Sequence, residues 1–95
     1  MLRIDEIGRS EDGSVVLRLE GNVAGRWVAE LRRSATAVLE LHGERLTLDL
    51  GGLAFADRDG TALLRDLSAG GVAFINCSPF AAAQLLNAEI DCRLE

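Results

Sequence analysis

Apolar residues alternate with polar or charged ones over residues 2–7 and again over 15–20, and the cluster Arg9-Ser10-Glu11-Asp12-Gly13-Ser14 between them is rich in turn formers. A period of two on both sides of such a turn predicts a β-hairpin. In its second strand Val15, Leu17 and Leu19 project to one side and Val16, Arg18 and Glu20 to the other, so one face is expected to be buried. After Gly21-Asn22 the period changes. Trp27, Val28, Leu31, Ala35, Val38 and Leu39 fall at helical spacing from about Gly25 or Arg26, while Arg26, Glu30, Arg32, Arg33 and Glu40 lie off that stripe. This helix is expected to bury Trp27 and to be the main cover of the core. His42-Gly43 closes it with a partly cationic side chain and a residue suited to a left-handed cap.

Residues 45–50 again alternate, Leu46, Leu48 and Leu50 against Thr47 and Asp49, as in a strand with one covered face. Residues 53–60 then read as a loop from the end of that strand into a short helix carrying Ala62, Leu63, Leu64 and Leu67, stopped by Gly70-Gly71. A strand over 72–77 follows. Ser78 and Pro79 are the N-cap and first residue of a third helix, with Phe80, Ala82, Ala83, Leu85 and Leu86, running to about Ala88. Residues 90–95 alternate in a way compatible with an edge strand, without requiring one. Strand-helix-strand-helix-strand order implies parallel pairing through right-handed crossovers. The expected fold is therefore a single α/β domain over 1–95, a mixed β-sheet opened by a β-hairpin with helices mainly on one face. Arg18, Glu20, Thr47 and Asp49 are expected on the weakly covered face.

Ninety-five residues, 48% of them hydrophobic and 4% aromatic, suffice for one core built from Leu, Val, Ile and Ala. A net charge of −5 disfavours nucleic acid as a partner. All the basic residues are Arg, so P-loop and Schiff-base chemistry lack their lysine. His42 is the one histidine, and Cys77 and Cys92 are not in a Cys-x-x-Cys pair, so no metal site or cofactor is expected. Free buried thiols are the expected state of both cysteines, in a reducing compartment. The start of the chain alternates apolar and charged residues and has no signal-peptide core, which points to the cytoplasm. The uncharged stretch 67–88 is interrupted by Gly70-Gly71, Asn76, Pro79, Gln84 and Asn87, and reads as strand plus helix rather than as a membrane insertion.

One segment stands out, Leu53-Ala54-Phe55-Ala56-Asp57-Arg58-Asp59-Gly60, at the C-terminal end of a parallel strand where open α/β sheets dock ligands and partners. Its ordinary structural use is that Asp57 or Asp59 caps the next helix. Gly21 after a strand, an amphipathic helix, then Leu46-Thr47-Leu48-Asp49-Leu50-Gly51-Gly52-Leu53-Ala54-Phe55-Ala56-Asp57-Arg58-Asp59-Gly60-Thr61-Ala62-Leu63-Leu64 resembles the STAS family, the fold of bacterial anti-sigma factor antagonists. That family's pattern is an apolar strand ending in Asp-Leu, a short apolar loop, and Asp-Ser-Ser-Gly or a close variant before a Leu-rich helix. The resemblance spans about 14–88.

The resemblance implies a non-enzymatic protein-interaction module of signal transduction and transcription regulation. Its partner-binding residues would be Asp57, Arg58, Asp59, Gly60, Thr61, Arg65 and Ser68, and its partner an anti-sigma factor or related kinase. In regulated members the first hydroxyl residue after the Asp accepts phosphate; that position is Arg58 here, and the second hydroxyl position is Asp59. No serine phosphorylation switch can operate at Arg58, and a single carboxylate at Asp59 carries less charge and fewer acceptor oxygens than a phosphate, so the capping role already accounts for an Asp there and imitation of a phosphorylated state is left open. Thr61 stands where an aliphatic residue is common. An alternative within the resemblance is the STAS subunit of a lipid-transport ABC importer, binding its ATPase through the same region, and a homodimer is compatible with either. From other classes, a receiver-like phosphoacceptor at Asp49 lacks its acidic metal pair and lysine, and small-ligand or nucleotide binding lacks a Gly-rich phosphate loop.

Overall fold

The computed structural model describes residues 1–87. Strands β1 (Leu2–Arg9) and β2 (Val15–Val23) form the hairpin, antiparallel with Ile4 opposite Leu19 and Glu6 opposite Leu17. Its turn is closed by the Gly13 amide donating to the Ser10 carbonyl at 2.9 Å, with Gly13 in the left-handed region at φ 85°. Asp12 accepts from the Ser10 hydroxyl and the Ser14 amide, and these bonds hold its carboxyl far below the usual aspartate range.

Helix α1 (Arg26–Thr36) leads to β3 (Leu46–Ala56), α2 (Arg58–Ala69), β4 (Ala73–Ile75) and α3 (Pro79–Asn87). The sheet order is β1-β2-β3-β4, and β3 pairs in parallel with both β2 and β4. Leu17, Leu48 and Phe74 stand abreast on one face, and they share a single buried core with Leu31 and Ala35 of α1, Leu63 and Leu64 of α2, and Ala81 and Leu85 of α3. The mixed sheet with its helices on one side is thus as the alternation implies. Ser78 caps α3 as expected: its hydroxyl accepts from the Ala81 amide at 3.1 Å and donates to the Leu53 carbonyl at 2.7 Å.

Several details differ from the sequence expectation. The first helix is α-helical only to Thr36 and continues as a π-helical turn over Ala37–Leu41, in which the His42 amide reaches the Ala37 carbonyl. Val38 stays buried through this turn, and Gly43 takes the left-handed conformation at φ 63°. Trp27 is only half-buried, packed against the edge of the core with the Arg26 guanidinium 4.9 Å from its ring centroid. Strand β3 runs through Gly51-Gly52 to Ala56 instead of ending at Leu50. Cys77 is disulfide-bonded, which corrects the expectation of a free thiol. Separation in sequence gives no measure of the distance between two cysteines, which the fold sets. The thiol state therefore no longer argues for a reducing compartment. The expected strand at 90–95 and the thiol of Cys92 lie outside the described residues. No described helix is long and apolar enough to cross a membrane.

The largest departure concerns the sheet face without helices. Arg18 and Glu20 are exposed there, but Thr47 and Asp49 are each only 3% exposed. They lie on the central strand, where Val16 and Ala73 flank Thr47 and Arg18 and Ile75 flank Asp49, and these neighbours cover them without a helix. Thr47 Oγ1 shares a 2.6 Å hydrogen bond with Ser14 Oγ, which in turn bonds Ser10 Oγ at 2.6 Å. Asp49 accepts from the Gly51 amide at 2.9 Å and from Asn76 Nδ2 at 3.4 Å, with Arg18 Nε 3.7 Å away. Buried hydrogen-bonded groups leave an unsatisfied partner when truncated, so Thr47→Ala and Asp49→Ala should each cost about 1–3 kcal/mol. Glu20→Ala should stay within about 0.5 kcal/mol, whereas Arg18→Ala, which takes the cation from beside the buried Asp49, should cost more than Glu20→Ala. Urea titrations of the four variants check this, and a tolerant Asp49→Ala would mean that the strand relaxes around the site.

Candidate functional site

The corner between β3 and α2 is built around Asp57. Its backbone is extended, at φ −79° and ψ −174°, as an N-cap requires, and Oδ1 accepts from the Gly60 amide at 2.7 Å. The second oxygen is also occupied: Oδ2 accepts from the Gly25 amide at 3.0 Å. Gly25 opens α1 at φ 58° and ψ −133°, a conformation that favours glycine, and α1 has no side-chain cap of its own. One carboxylate therefore ties the start of α1 to the start of α2. The amides of Gly25 and then Gly60 hold its pKa below the ordinary 3.8.

Backbone contacts fix the same corner. The Asp57 amide donates to the Val23 carbonyl at 3.2 Å, and the Thr61 amide donates to the Asp57 carbonyl at 2.8 Å. Gly60 is buried against β2 so closely that a Cβ there would lie 2.0 Å from the Val23 carbonyl oxygen. Asp57 and Gly60 are thus occupied within the fold, whereas Arg58 and Asp59 between them are exposed. Arg58, Thr61, Arg65 and Ser68 recur at helical spacing, so they share one side of α2. Thr61 is half-buried and accepts from Gln84 Nε2 of α3 at 3.2 Å, Arg65 is exposed, and Ser68 is half-buried.

Between α2 and α3 lies a groove of about 320 Å³ lined by Arg58, Thr61, Ala62, Arg65 and Gln84. Phe55, 47% exposed just before the corner, meets Phe80 at the start of α3 with ring centroids 6.1 Å apart. A second hollow, of about 350 Å³, lies on the helix-free sheet face between the hairpin and β4, with Asp49 and Asn76 among its lining. Among the described residues no three His, Cys, Asp or Glu side chains converge as metal ligands, and the exposed His42 ends the π-helical turn far along the chain from the corner.

The sequence singled out the segment 53–60 with Thr61, Arg65 and Ser68, and missed Val23, Gly25, Ala62, Phe80 and Gln84. The absence of Ser, Thr, Asp or Asn at the position before Arg26 was the signal for Gly25: a helix start without its own cap must take an acceptor from elsewhere in the fold. Nothing local marks Gln84 as the residue that bonds Thr61.

No family model matches the chain, and no curated protein matches it. A solved structure does: that of the anti-sigma factor antagonist SpoIIAA in its unphosphorylated form superposes with a TM-score of 0.70 at 18% identity, over 100% of this chain and 88% of the other. The chain has the STAS fold, that of this antagonist, as the resemblance over 14–88 implied.

Proposed function

From this fold and this corner we propose that the protein is a non-enzymatic interaction module that docks a protein partner. The docking surface is the corner Asp57 to Gly60 together with Thr61, Arg65 and Ser68 on the same side of α2, and the partner class is the one the fold suggests, an anti-sigma factor or related kinase. The observation that carries this is the division of labour at the corner. Asp57 and Gly60 lock the start of α2 onto β2 and α1, and that rigid base turns Arg58 and Asp59 outward, side by side. A guanidinium at 58 accepts no phosphate, so docking here runs without the serine switch that the resemblance places at this position, and the charged pair sets partner choice.

The test is Arg58→Ser with Asp59→Ser. Asp57 remains as the N-cap and both substituted side chains are exposed, so the fold should be unaffected. Affinity for a partner recovered from native lysate should fall by about 1 kcal/mol or more, as expected when a charge is desolvated at an interface. Unchanged affinity by calorimetry would place docking elsewhere and leave Asp57 to Gly60 as a helix cap alone.

A further inference from the structure

The proposal that follows rests on the docking surface above and concerns the chemistry of what it receives. Among the described residues Arg3, Arg9, Arg18, Arg33 and Arg45 are ion-paired and Arg26 lies over Trp27, whereas Arg32, Arg58 and Arg65 have neither kind of partner. Two of these three line one groove, and among the described residues no acid lines it with them. Seven helical residues set their Cα atoms about 10 Å apart along α2, nearly in line. Thr61 and Gln84, bonded to one another, form a neutral polar floor between them, and Phe55 with Phe80 forms an aromatic step before it.

The acids of the same helix are turned away. Asp59 and Asp66 each follow an Arg by one residue, which places them about 100° further round the helix on a second, negative stripe. Their spacing from Arg58 and Arg65 is one, six or eight residues, never the three or four that lets charges pair within a helix. Two free cations therefore face the groove while a negative stripe borders it, in a chain with a net charge of −5. A broad polyanion such as nucleic acid or an anionic bilayer would overlap the negative stripe, whereas a narrow acidic segment would not.

We propose that the groove between α2 and α3 receives an acidic, unphosphorylated peptide segment of the protein partner, with one carboxylate on Arg58 and a second, about 10 Å away, on Arg65. Gln84 and Thr61 meet its backbone or a neutral side chain, and Phe55 offers an apolar side chain a place at the end of the row.

The experiment titrates the full 15N-labelled chain with N-acetyl hexaglutamate amide, with hexalysine and with inorganic phosphate. Saturable shifts are expected with hexaglutamate at the Nε–H signals of Arg58 and Arg65 and at the Gln84 side-chain amide, weakening as salt rises. Arg58→Gln with Arg65→Gln should raise the apparent Kd at least tenfold, and Arg32→Gln, which removes the unpaired arginine of α1, should leave it unchanged. The proposal is overturned by the absence of saturable shifts, by an equal effect of Arg32→Gln, by an equal response to hexalysine, or by phosphate binding as tightly as the peptide, which would make this a small-anion site. Loss of the native partner in Arg58→Ser with Asp59→Ser, without any hexaglutamate response, overturns the acidic occupant and leaves docking intact. A hexaglutamate response beside unchanged partner binding overturns the docking surface and not the chemistry of the groove.

Discussion

Gly60→Ala should destabilise the domain by about 3 kcal/mol, although the residue sits in the first turn of a helix. Helix propensity alone predicts the opposite sign, since Ala is favoured over Gly by about 1 kcal/mol within helices. The neighbour decides the sign. A Cβ at position 60 would meet the Val23 carbonyl oxygen at 2.0 Å and its carbon at 3.0 Å, and both are backbone atoms fixed by the pairing of Val23 with Ala56 of β3 and by the Asp57 amide that donates to this carbonyl. Relief requires α2 to lift away from β2, which stretches the 2.7 Å bond from the Gly60 amide to Asp57 and uncovers Leu63 and Leu64. Gly70→Ala is the control, because its Cβ would find nothing closer than the Leu67 carbonyl at 3.5 Å, an ordinary contact. Urea unfolding followed by circular dichroism should separate the two variants clearly. A Gly60→Ala midpoint at or above the original would show that α2 slides freely on β2, and the rigid corner on which docking depends would not exist.

The same glycine illustrates what a sequence discloses. Its place in Asp57-Arg58-Asp59-Gly60 marks a helix start, and the alternation of Val15, Leu17 and Leu19 and of Leu46, Leu48 and Leu50 sets the parallel core strands and their inward face. These are local periods, and local periods survive folding. Gly51-Gly52 misleads for the converse reason: two glycines suggest a loop, yet both lie within β3. A Cβ on Gly52 would lie 2.6 Å from Cγ of Glu20 on β2, so this glycine serves a close approach between strands. Thr47 and Asp49 mislead similarly. A polar residue alternating with leucine signals solvent only when its neighbours on adjacent strands leave it open, and Val16, Ala73 and Ile75 close over these two. Arg58, Asp59, Thr61, Arg65 and Ser68 are legible because they share one helix and follow one motif. Gln84 comes from another helix, and only the tertiary fold brings it to Thr61.

Removing the Asp57 carboxylate should unfasten two helices at once, and Asp57→Ala should lower the melting temperature by about 5 °C or more, beyond the loss of an ordinary N-cap. Three variants resolve the two bonds. Ser at 57 restores an acceptor for the Gly60 amide but is too short to reach the Gly25 amide as well, so Asp57→Ser isolates the link to α1. Asp57→Asn has a single acceptor oxygen and can keep only one of the two bonds. The expected order of melting temperatures is therefore Asp, then Asn and Ser, then Ala, and an Asp57→Ser protein as stable as the original would show that the Gly25 bond contributes nothing. Acid titration gives an independent check. Both amides bond the charged form and depress the folded pKa below 3.8, so this contribution is fully present above the unfolded value and is lost as pH falls through the lower folded value. The difference in stability between the original protein and Asp57→Asn should consequently be constant near neutrality and shrink only at pH below about 4, in the range where a free aspartate protonates. A difference that already closes near pH 6 would mean that another group titrates in its place. If the order and the acid profile both hold, Asp57 acts on docking through the placement of Arg58 and Asp59. Partner affinity should then fall in Asp57→Ala, which loses the Gly60 bond that brackets those two residues, and be largely retained in Asp57→Asn wherever that bond survives.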